Sequence, residues 1–462
     1  MNYDKLKDFE DYLSKEQPDL FLSNEWAVLR FYVFFSFGKF NKKVPKLSLY
    51  FLVIHTLRSF FQTLYNIIFK IPHADIWVLS NNAETRWLNG KNLNKVLHPI
   101  LETQREIIFF ERYARPLNKT TDYKSRLDFT FIESVIRILA IILMPFVSSY
   151  KIDQIQKALS SNNFENINFA KKRWCHFIVS KFIWKLLLKV KKPKFVVLTD
   201  YHNAINMGLI YQLKKYNIPS FEYQHGIISA KHPAYMYSSE VAKQTRPDYL
   251  IYYFFSCFWD KKIAYSPEKV IFSSPYILNE CKKSRQTYLT KQSEVERRLK
   301  PKVLISLQNS TIEKTTAFVC EAISMLSEDE FEFIFLPRDK QPQNIINRKD
   351  VTVETKLNIY QLLAICDIHI THFSTTALEA QYLGIVNCVL AFDQMAKDYF
   401  EDFHEPSEDF YYAKTPYDLV DFLKRFKNRE SLDSTMKFEN SNSEVLSLKA
   451  LENLVENEKG MS

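Results

Sequence analysis

FVVLTDYHNAINMGLIYQLKKYNIPSFEYQHG, residues 195–226, contains a complete unit of two strands joined by a helix. A short β-branched run ends at Thr199-Asp200, a stretch with helical periodicity follows, and a second strand-like run ends at Gln224. Strands connected in this way lie parallel, so both carboxyl ends open onto the same edge of one sheet. The stretch therefore predicts an α/β domain built on a parallel sheet.

The same alternation extends along the chain in both directions. Helical patterns separate runs of strand length at 74–80, 106–111, 194–200, 219–224, 248–254 and 269–274, and then at 302–308, 331–337, 351–354, 367–373 and 386–392. Regular alternation of this kind is typical of parallel sheets covered by helices on both faces. We predict an α/β fold of two tandem Rossmann-like domains facing a central cleft, where a ligand binds at the carboxyl ends of the strands.

The length of the chain, 462 residues, agrees with two domains. A polar, helical stretch separates the two series of strands and reads as a connector. We predict an N-terminal Rossmann-like domain with a helical N-terminal extension at 1–275, the connector at 276–301, a C-terminal Rossmann-like domain at 302–440, and a C-terminal helix and tail at 441–462.

The composition excludes several classes of function. Only 6 residues are glycine, where average usage of about 7% would give roughly 32, and no two glycines lie close enough to form a Gly-rich phosphate loop. The formal charge of +9 is a mild excess for this length and predicts no nucleic-acid partner. The six cysteines are scattered singly, without the spacing of zinc ligands, and we expect neither a metal nor a cofactor.

The termini and apolar stretches bear on location. The first residues, MNYDKLKDFEDYLSKEQPD, are polar and acidic, unlike a secretory signal, and single cysteines fit reduced thiols in the cytoplasm. The most apolar stretches, 49–69 and 131–147, are interrupted by His55, Arg58, Glu133 and Arg137, and fall short of the roughly 20 apolar residues of a membrane span. We expect a cytoplasmic protein whose membrane association, if any, is peripheral.

One segment concentrates the positive charge. Residues 171–194 carry nine Lys or Arg and no acid. One hypothesis is a surface helix with an apolar stripe of Phe177, Ile178, Phe182 and Leu186 packed on the core. The other is a helix that rests on the anionic inner face of a membrane, with Trp174 and Trp184 as interfacial anchors.

The sequence DIHITHFSTTALEAQYLGI, residues 367–385, is the strongest local signal in the second half. A buried strand runs into the hydroxyl-rich turn Ser374-Thr375-Thr376, and a helix follows. Thr376 and Glu379 have the spacing of a capping box, and Gly384 falls where a helix C-terminus needs a glycine. This is either a well-capped strand–loop–helix or a phosphate-binding turn, in which Glu379 accepts hydrogen bonds from a ribose.

The sequence after 195 supplies a second group of candidates at the predicted sheet edge. Asp200 follows the first strand, and Gln224, His225 and Gly226 follow the second. In a chain with so few glycines, Gly226 predicts a positive φ or a close backbone approach. His225 would then lie at the rim of the cleft.

These residues carry a resemblance. Gln224-His225-Gly226, followed by His232-Pro233-Ala234-Tyr235, is similar to the QHG…H-x-x-Y segment of bacterial surface-polysaccharide (capsule and O-antigen) glycosyltransferases, which have a GT-B fold. Gln308 at a strand end, Pro337-Arg338, and Ser374-Thr375-Thr376 with Glu379-Ala380 resemble the C-terminal elements of that family. The pattern is similar to that of transferases using CMP-linked sialic acid or Kdo. One position departs from it, since Leu336 stands where the family has the histidine of His-Pro-Arg.

The resemblance implies a metal-independent glycosyltransferase that moves a sugar from a nucleotide-sugar donor to a growing surface polysaccharide or lipid-linked glycan. It places the donor on the C-terminal domain, against Gln308, Pro337, Arg338, Ser374, Thr375, Thr376 and Glu379. The acceptor meets Gln224, Gly226, His232 and Tyr235 of the N-terminal domain, with His225 and Asp200 as catalytic residues. His225 is the candidate base, and Asp200 becomes a nucleophile or ion-pair partner if the reaction retains configuration.

Two other functions fit the same residues. A glycerol-phosphate-type polymer transferase shares the tandem α/β plan and a Ser/Thr turn. A degenerate transferase that acts as a scaffold in polysaccharide assembly is favoured by Leu336 in place of histidine.

Overall fold

The structure, a computed structural model, describes two parallel α/β halves in sequence. The described residues are 2–36, 49–88, 90–103, 106–112, 121–162, 169–224, 226, 228, 232–237, 240–252, 263–292, 300–338, 341–400, 407–429 and 445–461.

The N-terminal half is a sheet of seven parallel strands in the order β5-β4-β1-β6-β7-β8-β9. Apolar runs form its centre because parallel strands are covered on both faces; β1, for example, pairs with β4 on one side and with β6 on the other. A two-stranded antiparallel hairpin, β2–β3, follows β1. The bounds are β1 Ile76–Asn81, β2 Thr85–Leu88, β3 Lys91–Asn94, β4 Ile107–Arg112, β5 Arg126–Asp128, β6 Phe195–Leu198, β7 Ser220–Tyr223, β8 Tyr249–Tyr252 and β9 Val270–Phe272.

Helices precede and separate these strands. The first three form the N-terminal extension, and Arg30 on the third contacts the segment 232–237 by donating to the carbonyl of Pro233 and lying 4.4 Å from the ring centroid of Tyr237. The bounds are α1 Asn2–Glu16, α2 Pro18–Phe21, α3 Asn24–Ser36, α4 Leu49–Phe69, α5 His98–Leu101, α6 Thr130–Leu143, α7 Tyr150–Ser161, α8 Phe169–Val190 and α9 Ala204–Lys215. Three-residue 3₁₀ turns lie at Ile71–His73, Asn82–Glu84 and Pro267–Lys269.

The C-terminal half is a sheet of six parallel strands in the order β12-β11-β10-β13-β14-β15. Side chains alternate along its strands, so Val303 and Ile305 pack in one core while Leu304 packs in the other. The bounds are α10 Tyr276–Lys291, β10 Lys302–Ser306, α11 Ile312–Ser324, β11 Glu332–Leu336, β12 Val351–Val353, α12 Ile359–Leu363, β13 Ile368–Thr371, α13 Thr376–Tyr382, β14 Val386–Leu390, α14 Gln394–Phe400, β15 Phe410–Ala413, α15 Pro416–Lys427 and α16 Leu448–Met461.

The two parallel sheets confirm the predicted fold class, two tandem Rossmann-like domains in a GT-B-like arrangement. Two helical segments show to which half of the chain they belong by their contacts. The first is α10, in the predicted connector, and the second begins just before α16, in the predicted C-terminal tail. Arg285 of α10 donates to the carbonyl of Cys366 at 2.6 Å, which ties the segment after 275 to the C-terminal half. The backbone N–H of Leu446, just before α16, donates to Ser273 of the N-terminal half at 2.9 Å.

For residues 171–194 the structure confirms part of the core-facing stripe, since Phe177 is buried and Ile178 packs against the core, and it corrects other residues named in both hypotheses. Trp174 and Trp184 are buried, and the Trp184 ring stacks on Phe129 at 5.3 Å, so neither is an interfacial anchor. Phe182 and Leu186, assigned to a core-facing stripe, are instead 58% and 43% exposed. The assignment of Phe182 and Leu186 to the core was wrong because α8 packs against both α6 and α9. These two helices bury a different face of α8 from the one that the apolar spacing predicted. Among the described residues, no helix combines the length and the hydropathy of a membrane span.

Candidate functional site: a cleft between the two sheets

A cleft of about 670 Å³ lies between the two halves, at the carboxyl ends of the strands. This is the edge at which open parallel sheets bind ligands. The C-terminal wall holds all seven residues predicted to bind a donor, and the N-terminal wall is formed mainly by the segment 83–95. The seven are Gln308, Pro337, Arg338, Ser374, Thr375, Thr376 and Glu379.

Arg338 and Gln308 form one part of the C-terminal wall. They follow β11 and β10, which are neighbouring strands, and the Arg338 Nη1 donates to the Gln308 Oε1 at 3.1 Å. Arg338 is exposed to the cleft. The amide thus orients a guanidinium that still has donors available for a carboxylate or a phosphate. Leu336, where the resembling family has histidine, is half-buried in the same wall.

The turn after β13 differs from the predicted capping box. Helix α13 begins at Thr376, and its N-cap residue Thr375 makes no side-chain capping hydrogen bond, whereas the Ser374 Oγ accepts from the backbone N–H of Thr376 at 3.3 Å. The Ser374 hydroxyl donates to the Thr376 hydroxyl at 2.9 Å, and Thr375 hydrogen bonds with Tyr399. The capping box was wrong because the carboxylate of the residue at its acidic position is engaged elsewhere, as described next.

Glu379 joins the two walls of the cleft. Its side chain is only 6% exposed, its Oε1 accepts a hydrogen bond from the Tyr360 hydroxyl at 3.1 Å, and the same oxygen lies 3.7 Å from Nζ of Lys95. Lys95 also lies 3.4 Å from Oε2 of Glu84. One ammonium from the N-terminal half is therefore shared by two buried carboxylates, one from each half.

The prediction for Gly384 is confirmed. Its φ is +71°, and it follows the end of α13. The backbone N–H groups of Gly384 and Ile385 donate to Gln381 and Ala380, which is the pairing of a Schellman motif.

A second contact between the walls involves the β2–β3 hairpin. The Asn358 Nδ2 donates to the carbonyl of Trp87 at 2.7 Å, while the Asn358 side chain also caps α12 in a complete capping box. Just before it, Oε1 of Glu354 accepts from the backbone N–H groups of residues 355–357, and these hydrogen bonds lower the pKa of Glu354. The loop 354–360 is thus ordered by its own side chains where it faces the hairpin.

Two histidines of the segment 367–385 have structural partners. His369 is fully buried between Ser306 and Asn387, with nitrogen–oxygen distances of 2.9 Å to each, and burial lowers its pKa to about 4. His372 lies 2.8 Å from Asp393 and stacks on the Phe392 ring at 4.2 Å. Neither ring lines the cleft. Through these contacts both rings hold the end of β13 in place.

The structure places Asp200 outside the cleft lining. Its Oδ1 lies 3.1 Å from Nε2 of His202, and the His202 ring packs on Phe31 with 4.0 Å between centroids. Burial opposes the increase in the pKa of Arg112, which comes mainly from Glu133 and to a smaller extent from Asp200. The candidate nucleophile is therefore grouped with residues at the end of β4 and on α3, and its catalytic role stays a prediction.

Of the remaining acceptor-side residues, Tyr235 contacts a buried carboxyl group, and Gln224 and His232 form hydrogen bonds with the backbone. Gln224 is fully buried and donates to the carbonyl of Gly226 at 2.8 Å, and Nδ1 of the half-buried His232 accepts from the Ala234 N–H at 3.2 Å. The Tyr235 hydroxyl donates to Oε1 of Glu222 at 2.9 Å. Burial is the largest influence on Glu222 and raises its pKa to about 8.

Gly226 lines the cleft, but the reason predicted for it was wrong. Its φ is not positive, and a Cβ at this position would meet no atom of the described residues within 4 Å. The backbone here makes no left-handed turn, and no described residue approaches it closely. His225, the candidate base, lies outside the described residues.

Sequence reasoning missed most of the N-terminal wall. Lys95 and Glu84 carried no motif, and their pairing depends on the β2–β3 hairpin that brings them together. A signal for the hairpin exists, since the dipeptide Asn89-Gly90 separates two short strand-like runs and is typical of tight hairpin turns. Gly90 has a φ of +78°.

Comparison with known proteins finds similarity to solved structures. No protein-family model and no curated protein sequence matches it. Solved structures that are similar include UDP-GlcNAc 2-epimerase of Methanocaldococcus jannaschii in complex with UDP-GlcNAc and UDP (14% identity, 83% of this chain and 99% of that chain, TM-score 0.45). Others are the wall teichoic acid polymerase TagF (11%, 88% and 99%, 0.44) and the calicheamicin glycosyltransferase CalG4 (12%, 77% and 91%, 0.45).

Proposed function

We propose that the chain is a glycosyltransferase that binds a nucleotide-activated sugar in the cleft between its two halves. The observation that carries the proposal is the C-terminal wall, where an oriented arginine and a run of three hydroxyl residues face a polar cleft at the strand ends. This combination suits a ligand with a phosphate group next to a sugar, because the guanidinium pairs with the phosphate and the hydroxyls donate to its oxygens.

The charges of the cleft support the same ligand. Four cationic side chains and three carboxylates line it, and two of the carboxylates, Glu84 and Glu379, share Lys95 while Glu354 accepts from its own loop. Because these three carboxylates already have partners, they offset little of the positive charge of Arg86, Arg338 and Lys356. An anion that enters here meets positive charge.

The proposed reaction follows from these groups. The acceptor hydroxyl oxygen attacks the anomeric carbon, its proton passes to a base, and the bond from that carbon to the donor phosphate breaks with its electron pair on the leaving nucleotide. Arg338 stabilises the charge that develops on this phosphate. His225 is the proposed base and Asp200 the alternative; Asp200 acts as nucleophile or ion-pair partner if the reaction retains configuration.

The finer assignment rests on the sequence resemblance. We propose a donor of the CMP-linked ulosonic acid class and an acceptor that is a growing surface polysaccharide or a lipid-linked glycan, in a reaction that needs no metal. Leu336 removes one hydrogen-bond donor that the family pattern supplies. A glycerol-phosphate-type transferase and a non-catalytic scaffold are therefore the competing outcomes of the test.

Isothermal titration of the full chain with CMP, CDP, UDP and GDP tests the proposal. Binding of CMP supports a CMP-linked ulosonic acid or a CDP-linked glycerol donor, since transfer from either one releases CMP, and the transfer assay with each of these donors separates the two; binding of UDP or GDP supports another sugar. Incubation with the matching nucleotide sugars, read as nucleotide release with and without acceptor glycans, then tests for transfer. Failure of all four nucleotides to bind would overturn the proposal and favour the scaffold.

A further inference from the structure

A second cavity, of about 480 Å³, lies in the N-terminal half and is separate from the cleft. Its walls are the end of β4, the helices α6 and α8, and the start of α9. We call it the basic pocket. The residues that line it are Tyr32, Arg112, Glu133, Arg137, Ile141, Phe169, Lys172, Arg173, His176, Asn203, Ala204 and Ile205.

The charges of the basic pocket are unbalanced. It holds four cationic side chains and one carboxylate, Glu133, which is already paired with Arg112 at 3.1 Å and with Arg137. These two arginines lower the pKa of Glu133 to about 2 although burial opposes the shift. Lys172 is exposed at the mouth, and Arg173 lies 4.1 Å from the Tyr32 ring centroid. The pocket therefore keeps a net positive charge that can neutralise an anion.

A buried histidine points to a ligand in this pocket. His176 is 6% exposed, and its Nε2 has no hydrogen-bond partner among the described residues. An unpaired buried nitrogen is unfavourable unless another group forms a hydrogen bond with it. Burial, followed by the nearby Arg173 and Arg137, lowers the pKa of His176 to about 4, so the ring is neutral at pH 7 and can donate one N–H to an oxygen.

The basic pocket opens beside an unusual surface. Of the 21 exposed large hydrophobic side chains among the described residues, 13 lie on α4, α6, α8 or just after α6. These helices are neighbours: the Phe131 N–H of α6 donates to Ser59 of α4 at 2.9 Å, and α6 also packs against α8. We call this surface the apolar face; it comprises Phe61, Leu64, Tyr65, Ile68, Phe69, Ile138, Ile141, Ile142, Leu143, Phe146, Phe182, Leu186 and Val190.

Positive charge accompanies the apolar face. Lys185 and Lys189 are exposed on α8 between Phe182 and Val190, and the segments 49–70 and 169–194 contain no acidic residue. A soluble monomer rarely leaves so many large apolar side chains together. An apolar surface flanked by lysine and arginine is complementary to an anionic bilayer, whose phosphates attract the charges and whose acyl chains accept the apolar groups.

We propose that the apolar face docks on an anionic phospholipid bilayer and that the basic pocket binds the phosphate of a lipid headgroup. Ile141 belongs to both surfaces, so a phosphate in the pocket and acyl chains on the face suit one amphiphilic molecule. The site is independent of the donor cleft, and the proposal does not require that the chain transfer a sugar.

The test is flotation of the full chain with vesicles of phosphatidylcholine alone and of phosphatidylcholine with phosphatidylglycerol. We expect binding to the anionic vesicles only, weakened at high salt. Two variants address the two parts of the surface: Lys172→Glu with Arg137→Gln for the pocket, and Ile142→Asn with Phe146→Ser for the face. Each should weaken binding at least tenfold. Lys424→Glu and Tyr417→Ser, on the exposed side of α15, are the matched controls and should bind as the unchanged chain does.

Three results would overturn the proposal. One is equal binding to both kinds of vesicle, or to neither. Another is binding of soluble glycerol phosphate to the pocket, measured by calorimetry, without any binding to vesicles, since the ligand would then be a free phosphate. The third is a dimer in analytical ultracentrifugation that dissociates in the Ile142→Asn, Phe146→Ser variant, since the face would then be an interface between two copies of the chain. None of these measurements involves a nucleotide sugar, so their failure is distinct from failure of the proposed transferase activity.

Discussion

Nζ of Lys95 lies 3.7 Å from Oε1 of Glu379, and this ion pair links the hairpin side of the N-terminal sheet to the first helix after the Ser/Thr turn. The pair is almost fully removed from solvent, with both side chains less than a tenth exposed. It therefore fixes the position of the two cleft walls relative to each other, together with the hydrogen bond from Asn358 to the carbonyl of Trp87.

Replacement of Lys95 should destabilise the protein strongly. Lys95→Met leaves the carboxylates of Glu84 and Glu379 buried without their shared cation, and breaking a buried pair in this way costs about 3–5 kcal/mol. The double variant with Glu379→Gln should recover part of that loss, because one uncompensated charge is removed. Urea unfolding of the single and double variants measures both. Lys349→Met, which removes an exposed surface pair, is the control and should cost less than about 1 kcal/mol; equal losses at the two lysines would contradict the role of the buried pair.

Arg338 should govern nucleotide affinity without affecting stability. Arg338→Ala removes the proposed phosphate contact, and we expect nucleotide binding at least tenfold weaker by calorimetry. Arg338→Lys should be intermediate, because an ammonium cannot make the bidentate contact. The melting temperature should hardly change, since Arg338 is exposed. Nucleotide affinity that is unchanged in Arg338→Ala would remove this residue from the donor site.

A variant of the hydroxyl turn can separate a role in nucleotide binding from a role in capping α13. Thr375 makes no capping hydrogen bond to α13, whereas the Ser374 Oγ accepts from the backbone N–H of Thr376 at 3.3 Å, so the double variant Ser374→Ala, Thr375→Val should cost no more than the roughly 0.5–2 kcal/mol of a lost N-cap. Its nucleotide affinity should nevertheless fall, because two candidate donors to the phosphate are lost. Thermal melting and calorimetry on the same preparation measure the two effects. Early melting together with normal nucleotide binding would show that the hydroxyls serve the fold alone.

Glu222 should make stability fall with rising pH. Its pKa is raised to about 8 in the folded chain, mainly by burial, whereas an unfolded glutamate titrates near 4.5. Between these values the folded chain holds a proton that the unfolded chain releases, so this group lowers stability by up to about 1.4 kcal/mol per pH unit as the pH rises from 4.5 towards 8. Glu222→Gln keeps an acceptor for the Tyr235 hydroxyl but does not titrate. We expect it to gain stability over the unchanged chain at pH 8 and little at pH 4.5; a difference that is independent of pH would contradict the assignment.

The choice of catalytic base remains a prediction that kinetics can test. If His225 takes the acceptor proton, His225→Ala should lower kcat by about 10²–10⁴ while nucleotide affinity stays nearly the same. Asp200→Asn should then have a smaller effect, since Asp200 lies outside the cleft lining. The reverse order of effects would assign the chemistry to Asp200. Both variants are compared in the same nucleotide-release assay.

The sequence determined eleven of the strands, their parallel direction and the C-terminal wall of the cleft, but not β2, β3, β5 and β15. Apolar runs of strand length are local signals, and residues that follow parallel strands must lie at one edge, so Gln308, Arg338 and Ser374 were bound to be near neighbours. Gly384 was also predictable, because a positive φ after a helix is a property of a few consecutive residues.

The tertiary structure alone decided the opposite wall and the outer surface. Whether Lys95 meets Glu379 depends on how two separately folded sheets are placed, and no local pattern records that distance. The exposure of apolar residues on the outward faces of α4, α6 and α8 also depends on how separate elements pack. A helix buries only the side that its neighbours cover, and the neighbours of these three helices leave Phe61, Ile142 and Phe182 exposed.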